Sequence, residues 1–238
     1  MKTYIIAIAF VTAALPATGY SQFKLPKALS KITGGGVTED EAGMGIKEAL
    51  SQGVTNAVLN LNKTDGFFGN QLYKVLLPPD AQKIESTLRG AGMGAQVDKA
   101  ILAINRGAED AVAFAKPIFV DAIKQMTLTD ALNLVRGGND AATQYFKQKT
   151  SEKLIAAFTP SVQSSLEKVD ATKYYGDIVN TYNKFPTTFK KVNPDLTSFV
   201  VGKTVDALFD QVAKEEANIR SNPAARASDI LKKVFGSK

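Results

Sequence analysis

Between residues 46 and 61 the apolar and small side chains recur with a helical period. Ile46, Ala49, Leu50, Gly53, Val54, Ala57, Val58 and Leu61 stand at i, i+3, i+4, i+7, i+8, i+11, i+12 and i+15, which is one face of a 3.6-residue helix. Gly53 on that face predicts a close helix–helix contact. Upstream, Thr38-Glu39-Asp40-Glu41 has the residue types that start helices. A second stripe of Val97, Ile101, Ile104, Ala108, Ala111, Ala115 and Phe119 predicts a long helix, with a kink or break near Ala115–Lys116 because Pro117 lies inside the pattern. Asp80 predicts the cap of a short helix through Leu88. Thr127–Asp130 is a capping-box pattern ahead of Ala131–Val135, with Asp in place of the usual Glu or Gln, and Gly137-Gly138 ends that helix.

The second half continues in the same way. Asn139 or Asp140 starts a helix through Phe158, Pro160 interrupts it, and Ser161–Val169 continues at an angle. Ala171–Phe185 is helical and stopped by Pro186. Asn193-Pro194-Asp195 supplies a cap and a first-turn proline for a helix to about Arg220, and Asn222-Pro223 repeats the device for a last helix over Ala224–Phe235. Two short segments read differently. Tyr73–Leu77 and Thr188–Val192 are rich in β-branched or aromatic residues and bounded by proline, so they are the strand candidates, expected to pair antiparallel. The fold class expected is all-α, mainly a helical bundle, with at most this two-stranded element. No fixed-period repeat and no long linker divides the chain, so residues 46–238 form one helical domain behind a loose lead-in at 22–45.

Residues 1–21 follow another logic. Lys2 precedes the apolar run Tyr4–Leu15, Pro16 ends it, and small residues follow. That is the three-part pattern of a secretory signal peptide, cleaved after Ser21 or, as a second position, after Gly19. The run is too short for a transmembrane helix, no later stretch reaches that length, and no Cys follows it to take a lipid anchor. The mature chain is thus expected to be exported, periplasmic or secreted, and soluble.

Composition narrows the chemistry. The 238 residues include no Cys and no His. Disulfides, thiolate nucleophiles, His-based triads and Cys or His zinc sites are therefore excluded. The net charge of +6 mixes acids with bases, and together with export this argues against a nucleic-acid partner. The glycine clusters at 34–36 and 90–94 lack the Lys-Ser/Thr of a phosphate-binding loop and the third glycine of a dinucleotide fingerprint. Leu61, Lys63 and Leu72 would fall on ligand positions of a calcium loop centred on Asp65-Gly66. No metal ligand set and no cofactor motif results.

What remains is sparse. Glu109, Asp110, Asp121, Asp140 and Glu215-Glu216 are the carboxylates available for hydrolysis, or are ordinary helix charges. Asn105, Arg106 and Glu109 share one helix turn beside the apolar stripe and read either as a polar cluster in a pocket or as a buried hydrogen-bonded tie between helices. Tyr145, Tyr174 and Tyr175, with Phe146 and Tyr182, read as the wall of a ligand groove or as core with a wet edge. Phe67-Phe68, in a glycine-flanked loop, either meets a membrane or partner or folds back as a plug. Arg220 and Arg226 around Asn222-Pro223 suit a helix joint or an anion site.

Several segments together resemble the bacterial domain-of-unknown-function family 4197. They are Ile46-Lys47-Glu48-Ala49-Leu50-Ser51-Gln52-Gly53, Thr64-Asp65-Gly66-Phe67-Phe68, Met126-Thr127 with Asp130-Ala131, Gly138-Asn139-Asp140-Ala141-Ala142-Thr143-Gln144-Tyr145-Phe146, Thr172-Lys173-Tyr174-Tyr175, Val192-Asn193-Pro194-Asp195-Leu196, and Glu215-Glu216 with Ile219-Arg220 and Asn222-Pro223-Ala224-Ala225-Arg226. The resemblance covers roughly Ile46 to Gly236, and Tyr175 stands where the family is associated with Trp. It implies an exported, mainly helical bacterial protein and brings no activity, cofactor or catalytic residue. The function expected is a non-catalytic envelope binding module for a partner protein or an apolar small molecule. The alternative is a carboxylate-dependent hydrolase of an envelope polymer. Export has a direct check: the intact mass of the secreted protein should lack residues 1–21 or 1–19, and a full-length chain retained in the cytoplasm would refute it.

Overall fold

The computed structural model describes residues 38–184, 191–226 and 232. Eight α-helices lie among them: α1 (Glu39–Asn62), α2 (Gln82–Gly90), α3 (Gly94–Val112), α4 (Ala115–Gln125), α5 (Leu128–Arg136), α6 (Ala141–Glu167), α7 (Ala171–Lys184) and α8 (Leu196–Ser221). Short 3-10 turns occupy Pro79–Ala81 and Pro223–Ala225. No strand occurs among the described residues, so the fold is all-α.

α3 packs on α6, α6 on α8 and α8 on α1, while α4 and α5 close the side of α1. Both predicted stripes face this core: Ile46, Val54, Ala57 and Leu61 are buried from α1, and Ile104, Ala108, Ala111 and Phe119 from α3 and α4. Phe119 sits edge-on to Phe146 of α6 at 5.2 Å and to Phe209 of α8 at 6.1 Å, which locks three helices at the centre. A second cluster gathers Ala42, Ile46, Met126, Ala131, Leu132, Leu134 and Ala142 under α5.

Local signals hold where donor and acceptor are neighbours. Thr38 and Glu41 form a capping box at α1, which begins at Glu39, ahead of the periodic stretch. Thr127 and Asp130 form another at α5, and Gly137 closes that helix. Between α3 and α4 the chain breaks at Ala113-Phe114, leaving Pro117 in the first turn of α4, where an N–H has no intrahelical partner to lose.

Other expectations are corrected. α6 runs unbroken through Pro160. Pro160 and Ala156, whose carbonyl loses its bond to the missing N–H, both lie on the exposed face, so that carbonyl is not buried without a partner. The cap of α8 is Asp195, whose side chain accepts the Ser198 N–H at 2.9 Å. Asn193 instead accepts the N–H of Asp195 at 3.0 Å. The chain reaches α2 through a 3-10 turn with Pro79 at its first position, and no side-chain cap is made there. The expected helix beyond Ala224 lies almost wholly outside the described residues.

The antiparallel strand pair is absent among the described residues, and Thr188–Lys190 lies outside them. The reason is that side chains already meet the backbone. Asn105 of α3 accepts the Val75 N–H at 2.8 Å and donates to the Val75 carbonyl at 2.8 Å. Asn183 of α7 does the same for Val192, at 2.9 and 2.8 Å. A carboxamide carries the same donor and acceptor as a peptide group, so each segment has one strand partner reduced to a single side chain.

Gly107 marks a close helix approach, and Gly53, expected to mark one, does not. At Gly107 a Cβ would lie 2.9 Å from the Ser165 Cβ of α6. At Gly53 the nearest atoms, from Ile219 and Glu215 of α8, lie at 3.5 and 3.7 Å, an ordinary contact. Gly107→Ala should therefore destabilise by about 1–3 kcal/mol through overpacking, with Ser165→Gly restoring much of the loss. Gly53→Ala should be neutral or slightly stabilising, because helix propensity favours Ala by up to about 1 kcal/mol. Urea unfolding of the three variants checks both signs.

Candidate functional site

The polar cluster predicted on α3 is a set of ties to the loop between α1 and α2. Asp65 adopts a left-handed conformation (φ 64°), and Gly66 turns so tightly that a Cβ would meet the Leu61 carbonyl. This swings Phe67 inward, where it is fully buried, so the aromatic pair acts as a plug. The turn presents two consecutive amides, and Glu109 Oε1 accepts both, from Phe67 at 3.0 Å and Phe68 at 3.1 Å. Arg106 donates to Glu109 Oε2 at 2.6 Å and to Asp65 at 2.8 Å, fastening the turn from outside. Asn105 holds Val75 as described. All three residues are thus engaged with backbone or with each other.

A second buried carboxylate repeats the design. Asp140, at the start of α6, makes no side-chain cap. Glu216 from α8 takes that place: it accepts the N–H groups of Ala142 at 3.0 Å and Thr143 at 2.9 Å, and the Thr143 hydroxyl at 2.8 Å. An anion at a helix N-terminus also meets the positive end of the helix dipole. Arg220, one turn on, donates to Glu216 and to the Leu134 carbonyl in the last turn of α5 at 2.8 Å. One ion pair of α8 therefore closes the start of α6 and the end of α5. A small apolar cavity of about 40 Å³ lies beside it, large enough only for water.

Arg226 donates to the carbonyls of Ile219 and Arg220 at 3.1 and 3.0 Å, not to acids of the preceding helix. Asn222 accepts the Ala224 N–H at 3.0 Å. Arg226 is spent on the end of α8 and Arg220 on Glu216 and α5, and the helix expected after Asn222-Pro223 lies outside the described residues. With Glu109 and Glu216 fully committed to amides and guanidinium groups, the hydrolase alternative gains nothing from them.

The tyrosines separate. Tyr145 lies near α5, edge-on to Phe146 at 5.9 Å, with its hydroxyl pushed up by burial and then by Asp130. Tyr174 and Tyr175 open α7 and lie elsewhere, in the wall of a groove of about 420 Å³. The side chain of Tyr182 lies outside the described residues. Tyr175 is 7% exposed and donates its hydroxyl to the Asn193 carbonyl at 3.1 Å, while Tyr174 is 56% exposed at the groove mouth. Leu88 and Ile84 of α2, Val97 and Ala100 of α3 and Leu196 of α8 make the floor and far wall, and Lys99, Lys168 and Asp170 stand among the lining residues. Asp170 occupies a left-handed turn (φ 54°) that sets the angle between α6 and α7 and so the width of the groove. Arg89, paired with Glu85 and Asp98, fastens α2 to α3 on the opposite bank.

Among the described residues no cluster of acids suits a metal ion, and no helix is long and apolar enough to cross a membrane. The chain belongs to DUF4197, a family described as protein of unknown function, whose model matches residues 36–236. No curated protein and no solved structure matches it. Several segments that carry the family resemblance are the two halves of the carboxylate ties: Thr64–Phe68 meets Glu109, and Gly138–Phe146 meets Glu216-Arg220.

Removing either carboxylate should be costly. Glu216→Ala orphans two amides and leaves Arg220, only 13% exposed, without its charge partner, a loss of about 3–5 kcal/mol. Glu109→Ala should cost less, because Arg106 is 36% exposed and can rehydrate. Denaturant titrations of both variants test the order.

Proposed function

We propose that the protein is exported and acts in the bacterial envelope as a non-catalytic binding module, with the groove between α2, α3 and the start of α7 as its site. The observation that carries this reading is the groove itself. It has an apolar floor, an exposed tyrosine at its mouth and a buried tyrosine in its wall, and its volume of about 420 Å³ falls in the range of small-molecule sites, roughly 300–1,000 Å³. Lys99 and Lys168 suit the acidic end of a ligand whose body is apolar, as in a fatty acid. Tyr174 would cover the ligand by folding over the mouth, and Asp170 would turn away ligands with a second negative charge. The signal-peptide pattern at residues 1–21 fits a chain that meets such ligands outside the cytoplasm.

The test is native mass spectrometry of the mature protein purified from its own host. A bound small molecule with an apolar chain is expected on the wild type. Ala100→Trp, which fills the groove from α3, should lose it, and Tyr174→Ala should retain less of it. An adduct kept equally by Ala100→Trp, or none on the wild type, sinks the proposal; a retained peptide in its place would indicate a protein partner.

A further inference from the structure

A different surface, which meets that groove only at Leu77, is left incomplete by the fold. Val75 directs both its N–H and its C=O at Asn105 on α3. Neighbouring residues of an extended chain aim their amides to opposite edges. Leu76 therefore aims its N–H and C=O away from α3, and neither has a partner among the described residues. Burial alternates as in a strand: Tyr73, Val75 and Leu77 face inward, whereas Leu72 and Leu76 are 77% and 52% exposed. The short extended stretch at Val75-Leu76 thus resembles a strand edge, with Val75 satisfied on one side and Leu76 open on the other.

Along it runs a trough of about 620 Å³ whose opposite wall is a single stripe of α8, from Phe199 through Lys203, Asp206, Ala207 and Asp210 to Lys214. That stretch of helix is about 22 Å long, the length of roughly six or seven residues of extended chain. The wall is pinned at one end. The Tyr73 hydroxyl donates to Asp210 and accepts from Lys214, each at 2.6 Å. Burial and then the Asp210 carboxylate push this hydroxyl above its ordinary range, so it stays a neutral strut.

The charges left over have a sign. Asp210 and Lys214 pair at 2.8 Å and cancel. Lys74 stands over the Phe68 ring at 4.1 Å and Lys203 over the Phe199 ring at 5.9 Å, and neither makes an ion pair among the described residues. Asp206 is the single acid facing them. The trough thus combines an open backbone edge, exposed leucines, a partly buried phenylalanine and a surplus positive charge.

We propose that this trough is the docking site of an extended, acidic peptide segment of a partner protein. The segment adds as a strand beside residues 74–77, hydrogen-bonds the Leu76 backbone, lays apolar side chains on Leu76 and Phe199, and presents carboxylates to Lys74 and Lys203.

The probe is a fluorescein-labelled hexapeptide, Glu-Thr-Leu-Thr-Glu-Thr, which sets leucine and glutamate two residues apart on one face of an extended chain, titrated with the mature chain and read by anisotropy. Saturable binding is expected. The same peptide N-methylated at alternate backbone nitrogens should bind about tenfold or more weakly, because it cannot pair with the edge. The leucine–lysine counterpart should weaken by a similar factor, as should the Lys74→Glu/Lys203→Glu variant, whose helical content and melting temperature should match the wild type because both lysines are exposed. Ala100→Trp should bind as the wild type does, which separates this surface from the α2–α3 groove. Absence of saturable binding by the leucine–glutamate peptide, equal affinity of the N-methylated peptide, or wild-type affinity in the double-lysine variant would each overturn the proposal.

Discussion

A backbone amide removed from water and left without a partner costs about 1–3 kcal/mol, and this fold removes many at places where no ladder or helix can reach them. Its solution is the same each time. A side chain from a rigid helix reaches across and plays the part of missing backbone. Glu109 accepts two amides of the Phe67 turn, Glu216 accepts two at the start of α6, and Asn105 and Asn183 each complete both bonds of an extended residue. The helices can pack without strands because these side chains take over the strands' work.

The carboxylate ties also explain why buried charge is tolerated here. An isolated carboxylate in the core would be expensive. Glu216 is surrounded by two amides, a hydroxyl and a guanidinium, so its lone pairs are used, and Arg220 also donates from Nη2 to the Leu134 carbonyl. The pair gives geometric definition more than net stability, since charge pairing inside a protein roughly offsets its desolvation. What it defines is the position of three helix ends relative to one another.

How much of this was legible follows from distance along the chain. The capping boxes at Thr38 and Thr127, the α1 and α3–α4 stripes and the break ahead of Pro117 depend on residues within a few positions, and they were readable. The trans caps were not. Glu216 lies 74 residues from Ala142, and Glu109 lies 42 from Phe67, so no local pattern joins them. The strand reading of Tyr73–Leu77 caught a real property, alternating burial in an extended chain, and missed that an asparagine on α3 would serve as partner. Of the candidate site residues, Tyr174 and Tyr175 are adjacent and reach one groove together. Tyr145 carries the same chemistry on a helix that faces elsewhere, and residue type alone could not tell them apart. Asn105, Arg106 and Glu109, expected in a pocket or as a tie between helices, instead hold the α1–α2 loop to α3, with partners 30 to 42 residues away that no local pattern marks.

The position of α8 has a consequence for the order of events when the chain is made. α8 is the last long helix described, and it supplies Glu216 and Arg220 to α5 and α6, Asp210 and Lys214 to Tyr73, and Glu215 to Asn56 of α1. A chain emerging N-terminus first has all of those elements in hand well before their partners exist. Until α8 arrives, the start of α6 lacks its cap, the 72–77 segment lacks its strut, and the face of α1 around Gly53 has nothing to pack against. These ties close only once α8 has been made, so the ends of α5 and α6, the Tyr73 segment and the Gly53 face of α1 are fixed to one another last.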